Sequence, residues 1–241
     1  MTESGGKVLV VLGAGPGLGM SMAHRFGREG FRVALVSRSD RRHEEYRAGL
    51  TAAGIVSRAY TADVHDPDRL RQVLGEITAD HGPIDTLYFG PASADGVAVV
   101  PLPDATPEQL RAPLDTLLTA PAQVVREVLP AMLARGDGAL FFGGGLSGKY
   151  PMPALGTLAP ASAAQRMYVL TLAEALGERG VYAAALTVGG LVERGDIHRE
   201  LLARPGGFGS LGTVDPDEIA DTAWRMYVGR DRHEAEFLPA G

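Results

Sequence analysis

The chain has 241 residues, 45% hydrophobic and 22% charged, with a formal net charge of −6, the size and balance of one globular domain spanning 1–241. Its 23 basic residues are scattered rather than gathered into a patch, which argues against nucleic acid as a partner. Zero cysteines exclude disulfides, thiolate metal ligands and a cysteine nucleophile, and no apolar run comes near the roughly 20 residues needed to span a membrane.

In chain order, apolar runs of strand length occur at 7–12, 32–37, 55–61, 84–89, 139–142, 181–188 and 236–239. Helical periodicity occupies 17–29, 41–53, 67–81, 107–134, 155–179 and 217–227, with breaks expected at Pro113 and Pro121. Near-continuous Val, Leu and Ala runs mark strands buried on both faces, and strand-helix alternation at this spacing requires parallel crossovers. The expected fold is α/β of the Rossmann type, a doubly wound seven-stranded parallel sheet with helices on both faces. The stretch 191–214, rich in Gly and charge, interrupts this rhythm after the sixth strand; overhanging the carboxyl edge, it reads as a substrate lid. The N-terminus has no basic segment ahead of its apolar run and no small-residue cleavage site after it, so a cytoplasmic protein is expected.

After the first strand comes Gly13-Ala14-Gly15-Pro16-Gly17-Leu18-Gly19, opening directly into a helix. Gly13 permits the tight turn, Gly17 lets the backbone approach a pyrophosphate and Gly19 allows close helix-strand packing, while the helix N-terminus supplies N–H groups and positive dipole. At the end of the second strand the chain reads Val36-Ser37-Arg38. An acid at position 37 would hold the adenosine ribose hydroxyls and repel a 2′-phosphate. Ser37 in its place, with Arg38 adjacent, favours NADP(H) over NAD.

The spacing Gly13, Gly17, Gly19 resembles the glycine loop of the short-chain dehydrogenase/reductase family, and the likeness runs through nearly the whole chain. Asp63-Val64 resembles that family's adenine-contacting pair, and Ile84-Asp85-Thr86-Leu87-Tyr88 its fourth strand. Ala173-Glu174-Ala175-Leu176 followed by Gly180-Val181 resembles the end of its long fifth helix entering the sixth strand. Where the family has Asn-Asn-Ala-Gly this chain reads Phe89-Gly90-Pro91-Ala92, and Val188-Gly189 stands in place of Pro-Gly. The resemblance implies that Gly90, Pro91 and Gly189 border the cofactor, and that the fourth and fifth helices form the interfaces of a homo-oligomer, a dimer or tetramer.

The family's chemistry uses a Ser to hold the substrate carbonyl, a Tyr proton donor, a Lys four residues later and a supporting Asn. Alignment places Gly145 at the Ser, Leu158 at the Tyr, Ser162 at the Lys and Leu117 at the Asn, so all four groups are absent. The loop after the fifth strand offers Ser147, Lys149 and Tyr150 as replacements. Lys7, the other of the two lysines, begins the first strand at the opposite edge. Adjacent residues on an extended loop point apart, which tells against joint action of Lys149 and Tyr150. His24, His43, His81 and His233 have no metal-site spacing, and no metal is expected. His65 follows the adenine pair, and His198, with Glu193, Arg194 and Asp196, lies in the expected lid. An apolar cleft of Phe89, Pro91, Leu146 and Leu155 would suit a hydrophobic carbonyl compound or enone.

Three readings stay open. One is an NADP(H)-dependent oxidoreductase with a relocated proton donor. Another is a non-redox cyclase, isomerase or dehydratase on the same scaffold. The third is a catalytically inactive NADP-binding sensor or partner subunit.

Overall fold

The parallel runs expected from sequence pair as one seven-stranded sheet in a computed structural model that describes residues 6–91, 99–203 and 212–239. Its strands are β1 (Val8–Leu12), β2 (Arg32–Ser37), β3 (Ser57–Thr61), β4 (Ile84–Phe89), β5 (Gly138–Gly145), β6 (Val181–Val188) and, after two short strands, β9 (Glu234–Phe237). Their spatial order is β3-β2-β1-β4-β5-β6-β9, all parallel. The order reverses between β1 and β4, and at such a switch point the connecting loops diverge and leave a crevice beyond the carboxyl ends of the strands. This is the expected Rossmann architecture.

Helices cover both faces. α1 (Leu18–Arg28), α2 (His43–Ala52) and α8 (Pro216–Gly229) lie on the face where Phe26, Leu50 and Met226 meet Leu9, Leu35 and Phe141. α3 (Pro67–His81), α5 (Ala120–Arg135) and α6 (Leu158–Leu176) cover the other, where Leu70, Val124 and Val169 pack on Val10, Leu140 and Phe142. Alternate residues of each strand feed alternate cores, which is why the strand sequences are apolar throughout rather than patterned.

Four local outcomes differ from expectation. β5 continues three residues past Phe142 because Gly143, Gly144 and Gly145 stay in register with Leu186, Thr187 and Val188; backbone pairing needs no side chain. The last strand lies two residues earlier than expected, fixed by pairing with Ala185 through Val188. The long fourth helix does not break at its prolines. α4 (Pro107–Leu114) passes through a π turn, Asp115–Thr119, into α5, with Pro113 in the last turn of α4 and Pro121 in the first turn of α5, where a missing N–H costs least. Finally, the stretch after β6 is partly regular: β7 (Leu191–Val192) pairs with β8 (Thr213–Val214), and α7 (Asp196–Ala203) lies between them. Residues 204–211 of the expected lid, and Ala92, lie outside the described residues. Among the described residues no helix is long and apolar enough to cross a membrane.

Candidate active site at the carboxyl edge of the sheet

The glycine loop is built by backbone contacts. The N–H groups of Gly13 and Ala14 both donate to the Val36 carbonyl at 3.0 Å, and Gly90 N–H donates to the Leu12 carbonyl at 2.9 Å. Gly13 takes φ +94°, and a Cβ there would meet the Gly90 carbonyl and Pro91 N at 2.6 Å. The structure thus brings Gly90 and Pro91 against the loop. A Cβ on Gly19 would lie 2.6 Å from the Gly13 carbonyl oxygen, so this glycine sets the packing of α1. Gly15 differs: its Cβ would meet nothing closer than 3.9 Å, leaving open space above the loop beside the partly exposed Pro16. The N–H groups of Leu18 and Gly19 find no backbone acceptor among the described residues. Open space at Gly15 and two orphan amides at the start of an 11-residue helix fit a phosphate group.

Gly17 has a role the sequence does not announce. A Cβ on it would meet Val192 Cγ1, the Glu193 carbonyl oxygen and Gly195 Cα at 3.0–3.2 Å, so the segment after β7 lies directly on it. Arg194 pins that segment in place. At φ +64°, it reaches Ser21 Oγ at 3.2 Å and Asp217 Oδ2 at 2.8 Å. Asp196 pairs with Arg42 at 2.7 Å, joining α7 to the start of α2. None of these long-range contacts has a signal in the sequence, because each links segments tens or hundreds of residues apart.

At the end of β2, the Ser37 hydroxyl donates to the Ser39 carbonyl at 2.9 Å. Its one proton is thereby used, so at 2.7 Å from His43 Nε2 it accepts, and His43 carries its proton on Nε2. Burial holds the His43 imidazole below its ordinary pKa, which favours this neutral form. Arg38 is exposed at the same edge. Across β3, burial raises the Asp63 carboxyl pKa, but hydrogen bonds from the His65 N–H and ring outweigh it and hold the group below its ordinary value. His65 Nε2 lies 2.9 Å from Thr116 Oγ1 in the π turn, and Val64 packs on the core beside it.

The β5 end gathers the remaining candidates, and there the structure separates them. Ser147 is buried in the short 3₁₀ turn Leu146–Gly148. Lys149 pairs with Glu236 on the edge strand β9, which raises its pKa, and Tyr150 is half exposed. Lys149 and Tyr150 do not point apart as an extended loop would have them. Both N–H groups bond the Leu146 carbonyl, the chain turns, and Lys149 Nζ lies over the Tyr150 ring at 5.6 Å. Gly189 is packed rather than open, since a Cβ would meet Leu146, Leu238 and the Phe237 carbonyl at 2.9–3.1 Å. Phe89 is fully buried in the core and does not line a cleft, because strand alternation puts it on the same face as Leu87. Tyr88, its neighbour, points the other way beneath Gly90, where an added Cβ would run into the phenol; burial raises that phenol's pKa.

A doubly wound sheet with a glycine loop at its switch point defines a Rossmann-type protein. The match to the short chain dehydrogenase family covers residues 7–200, and the chain belongs to that family. It is 31% identical to a 3-dehydrosphinganine reductase of Arabidopsis thaliana over 128 residues, 53% of this chain and 37% of that one. It is 30% identical to a putative ketoacyl reductase of Streptomyces coelicolor over 140 residues, 57% of this chain and 52% of that one. The chain therefore spans between about a third and a half of the length of these two relatives. Among solved structures, L-sorbose reductase from Gluconobacter frateurii, complexed with NADPH and L-sorbose, superposes with a TM-score of 0.83 at 22% identity, over 98% of this chain and 96% of that one.

Proposed function

We propose that the chain is an NADP(H)-dependent oxidoreductase of a single domain, 1–241, that acts on a small hydrophobic carbonyl or enone compound through an atypical active site, with 191–214 as its lid. The observation that carries this reading is the pairing of an open, amide-lined glycine loop with Ser37 and Arg38 at the adjacent strand end. Gly13, Gly15, Pro16, Gly17, Leu18 and Gly19 would hold the pyrophosphate. Arg38 would meet the 2′-phosphate, Asp63 and Val64 the adenine, and Gly90, Pro91 and Gly189 would border the nicotinamide. When bound, the nicotinamide supplies the hydride chemistry. The chain's part is to orient the substrate and manage a proton: Ser147 holds the substrate oxygen, and Tyr150 donates with Lys149 beside it. The reductases among its relatives, and the NADPH in the sorbose reductase structure, support this reading.

The protein is further read as a cytoplasmic homo-oligomer. Met167, Tyr168, Thr171 and Leu172, on one stripe of α6, support an interface because they line an apolar hollow and Met167 is largely exposed. Fluorescence titration with NADPH and NADH tests the cofactor, with NADPH expected at least tenfold tighter. Stopped-flow oxidation of NADPH against ketones and enones then tests the reaction. Equal affinities would overturn the NADP(H) assignment. NADPH binding without any oxidation would favour the second reading, a non-redox enzyme or sensor, which draws its support from Gly145, Leu158, Ser162 and Leu117 standing where the family's acid and base groups are expected.

A further inference from the structure

Three buried polar side chains meet at the glycine end of β5. Ser147 is 7% exposed, Ser162 6% and Gln165 2%. Neither serine hydroxyl has a hydrogen-bond partner among the described residues, and Gln165 Nε2 is fully buried and unpartnered. Buried polar groups are almost always hydrogen-bonded, so a sealed, unpartnered Gln165 amide beside two largely buried serines whose hydroxyls are bound to nothing among the described residues requires an explanation. The glycines supply the second observation. A Cβ built on Gly145 would lie 3.5 Å from Ser147 Oγ and 3.6 Å from Ser162 Oγ, so the gap it leaves is bounded by both hydroxyls. At Gly144 the corresponding point lies 2.9 Å from Gln165 Oε1.

The spacing of the two serines is set by backbone. A Cβ on Gly148 would lie 2.6 Å from the Ser162 carbonyl oxygen, so the turn that carries Ser147 is pressed directly onto α6 at Ser162. Such backing gives a preorganised pair of donors rather than two surface rotamers. Neighbouring cations are already committed: Lys149 to Glu236, and Arg166 to Glu234 through two 2.7 Å hydrogen bonds. An anion in the gap would have no free countercharge there, whereas a carbonyl oxygen offers two lone pairs to two hydroxyls at roughly 2.7 Å each.

We propose that Ser147 and Ser162 form a two-hydroxyl cradle for one uncharged oxygen of the substrate, seated in the gap over Gly145. This rests on the reading of the substrate as a neutral carbonyl compound. It adds Ser162, a residue of α6, as a binding residue, and makes Gly145 a determinant of access rather than a lost side chain. Gln165 sits one turn further along α6 as the polar backing of the same seam.

The test uses cyclohex-2-enone and its oxygen-free counterpart cyclohexene as probes, titrated by NMR against the intact protein with and without NADP. The parent is expected to bind the enone at least tenfold more tightly than cyclohexene. Ser147→Ala with Ser162→Ala should erase that difference by removing both donors. Gly145→Ala should erase it by filling the gap, and its methyl would make only ordinary contacts, so thermal unfolding and NADPH affinity should stay at parent values. Retained discrimination in both variants, or none in the parent, would overturn the cradle. Failure of NADPH to bind would instead overturn the cofactor assignment, and the enone comparison on the unliganded protein still decides the cradle by itself.

Discussion

The two halves of the crevice are made from different materials. Around β1, β2 and β4 the site is backbone: glycines that admit close approach, carbonyls that anchor the loop, and amides left open at the start of α1. Around β5 and α6 it depends on side chains, and there the chain has Gly145, Leu158 and Ser162 on an otherwise regular strand and helix. A backbone-built site is fixed by the fold itself. A site built from side chains can change its chemistry while β5 and α6 keep their register and packing, because neither element needs those side chains to form.

The largest expected effect falls in the backbone half. Gly13→Ala forces a side chain at φ +94° against the backbone of Gly90 and Pro91. It should cost about 4 kcal/mol in urea unfolding, the sum of strain and overpacking. Gly15→Ala, whose Cβ meets only open space, should leave stability intact while abolishing NADPH binding. Equal stability losses in the two would mean that Gly15 does not face a ligand space.

Next in size is the ion pair beneath the side-chain half. Arg166 holds the Glu234 carboxyl below its ordinary pKa, with Thr187 as second donor. A depressed carboxylate contributes stability above its unfolded pKa near 4.5 that is lost as pH falls through its folded value. Glu234→Gln should cost about 2 kcal/mol at pH 7 and flatten the fall in stability between pH 5 and 3. A variant with the parent's acid-side slope would show that the pair carries none of it.

Smaller again is cofactor choice. Arg38→Ala should erase most of a tenfold preference for NADPH over NADH, about 1.4 kcal/mol, measured by fluorescence titration. The smallest effect on stability belongs to Lys149→Ala, which removes a solvent-screened pair with Glu236 and should shift the urea unfolding midpoint least of all. Tyr150→Phe should lower turnover at least tenfold without changing NADPH affinity. Full turnover in that variant would remove the phenol as proton donor and shift the chemistry toward water.

What could be read along the chain follows the same division. The seven strands, their parallel pairing and the place of the glycine loop were legible, because burial on both faces writes itself as uninterrupted apolar runs and a strand-to-helix turn writes itself as glycine. The ends of β5 and β9 were not, since pairing with a distant strand sets them. The roles within the loop were only partly legible: three glycines look alike in sequence, yet Gly13 meets Gly90, Gly17 meets Gly195 and Gly15 meets open space.

Sequence by itself determined the fold class and the switch-point crevice, both of which depend on residue type and short-range spacing. Tertiary structure alone decided that Lys149 turns toward Glu236 and lies over Tyr150, that Arg194 and Asp196 fasten the segment after β7 to α1, α2 and α8, and that Ser147 and Ser162 face one gap. Each of these is a meeting of side chains from separate elements. Their directions are set by helix phase and strand register, which the packing of the whole sheet fixes and no local pattern encodes.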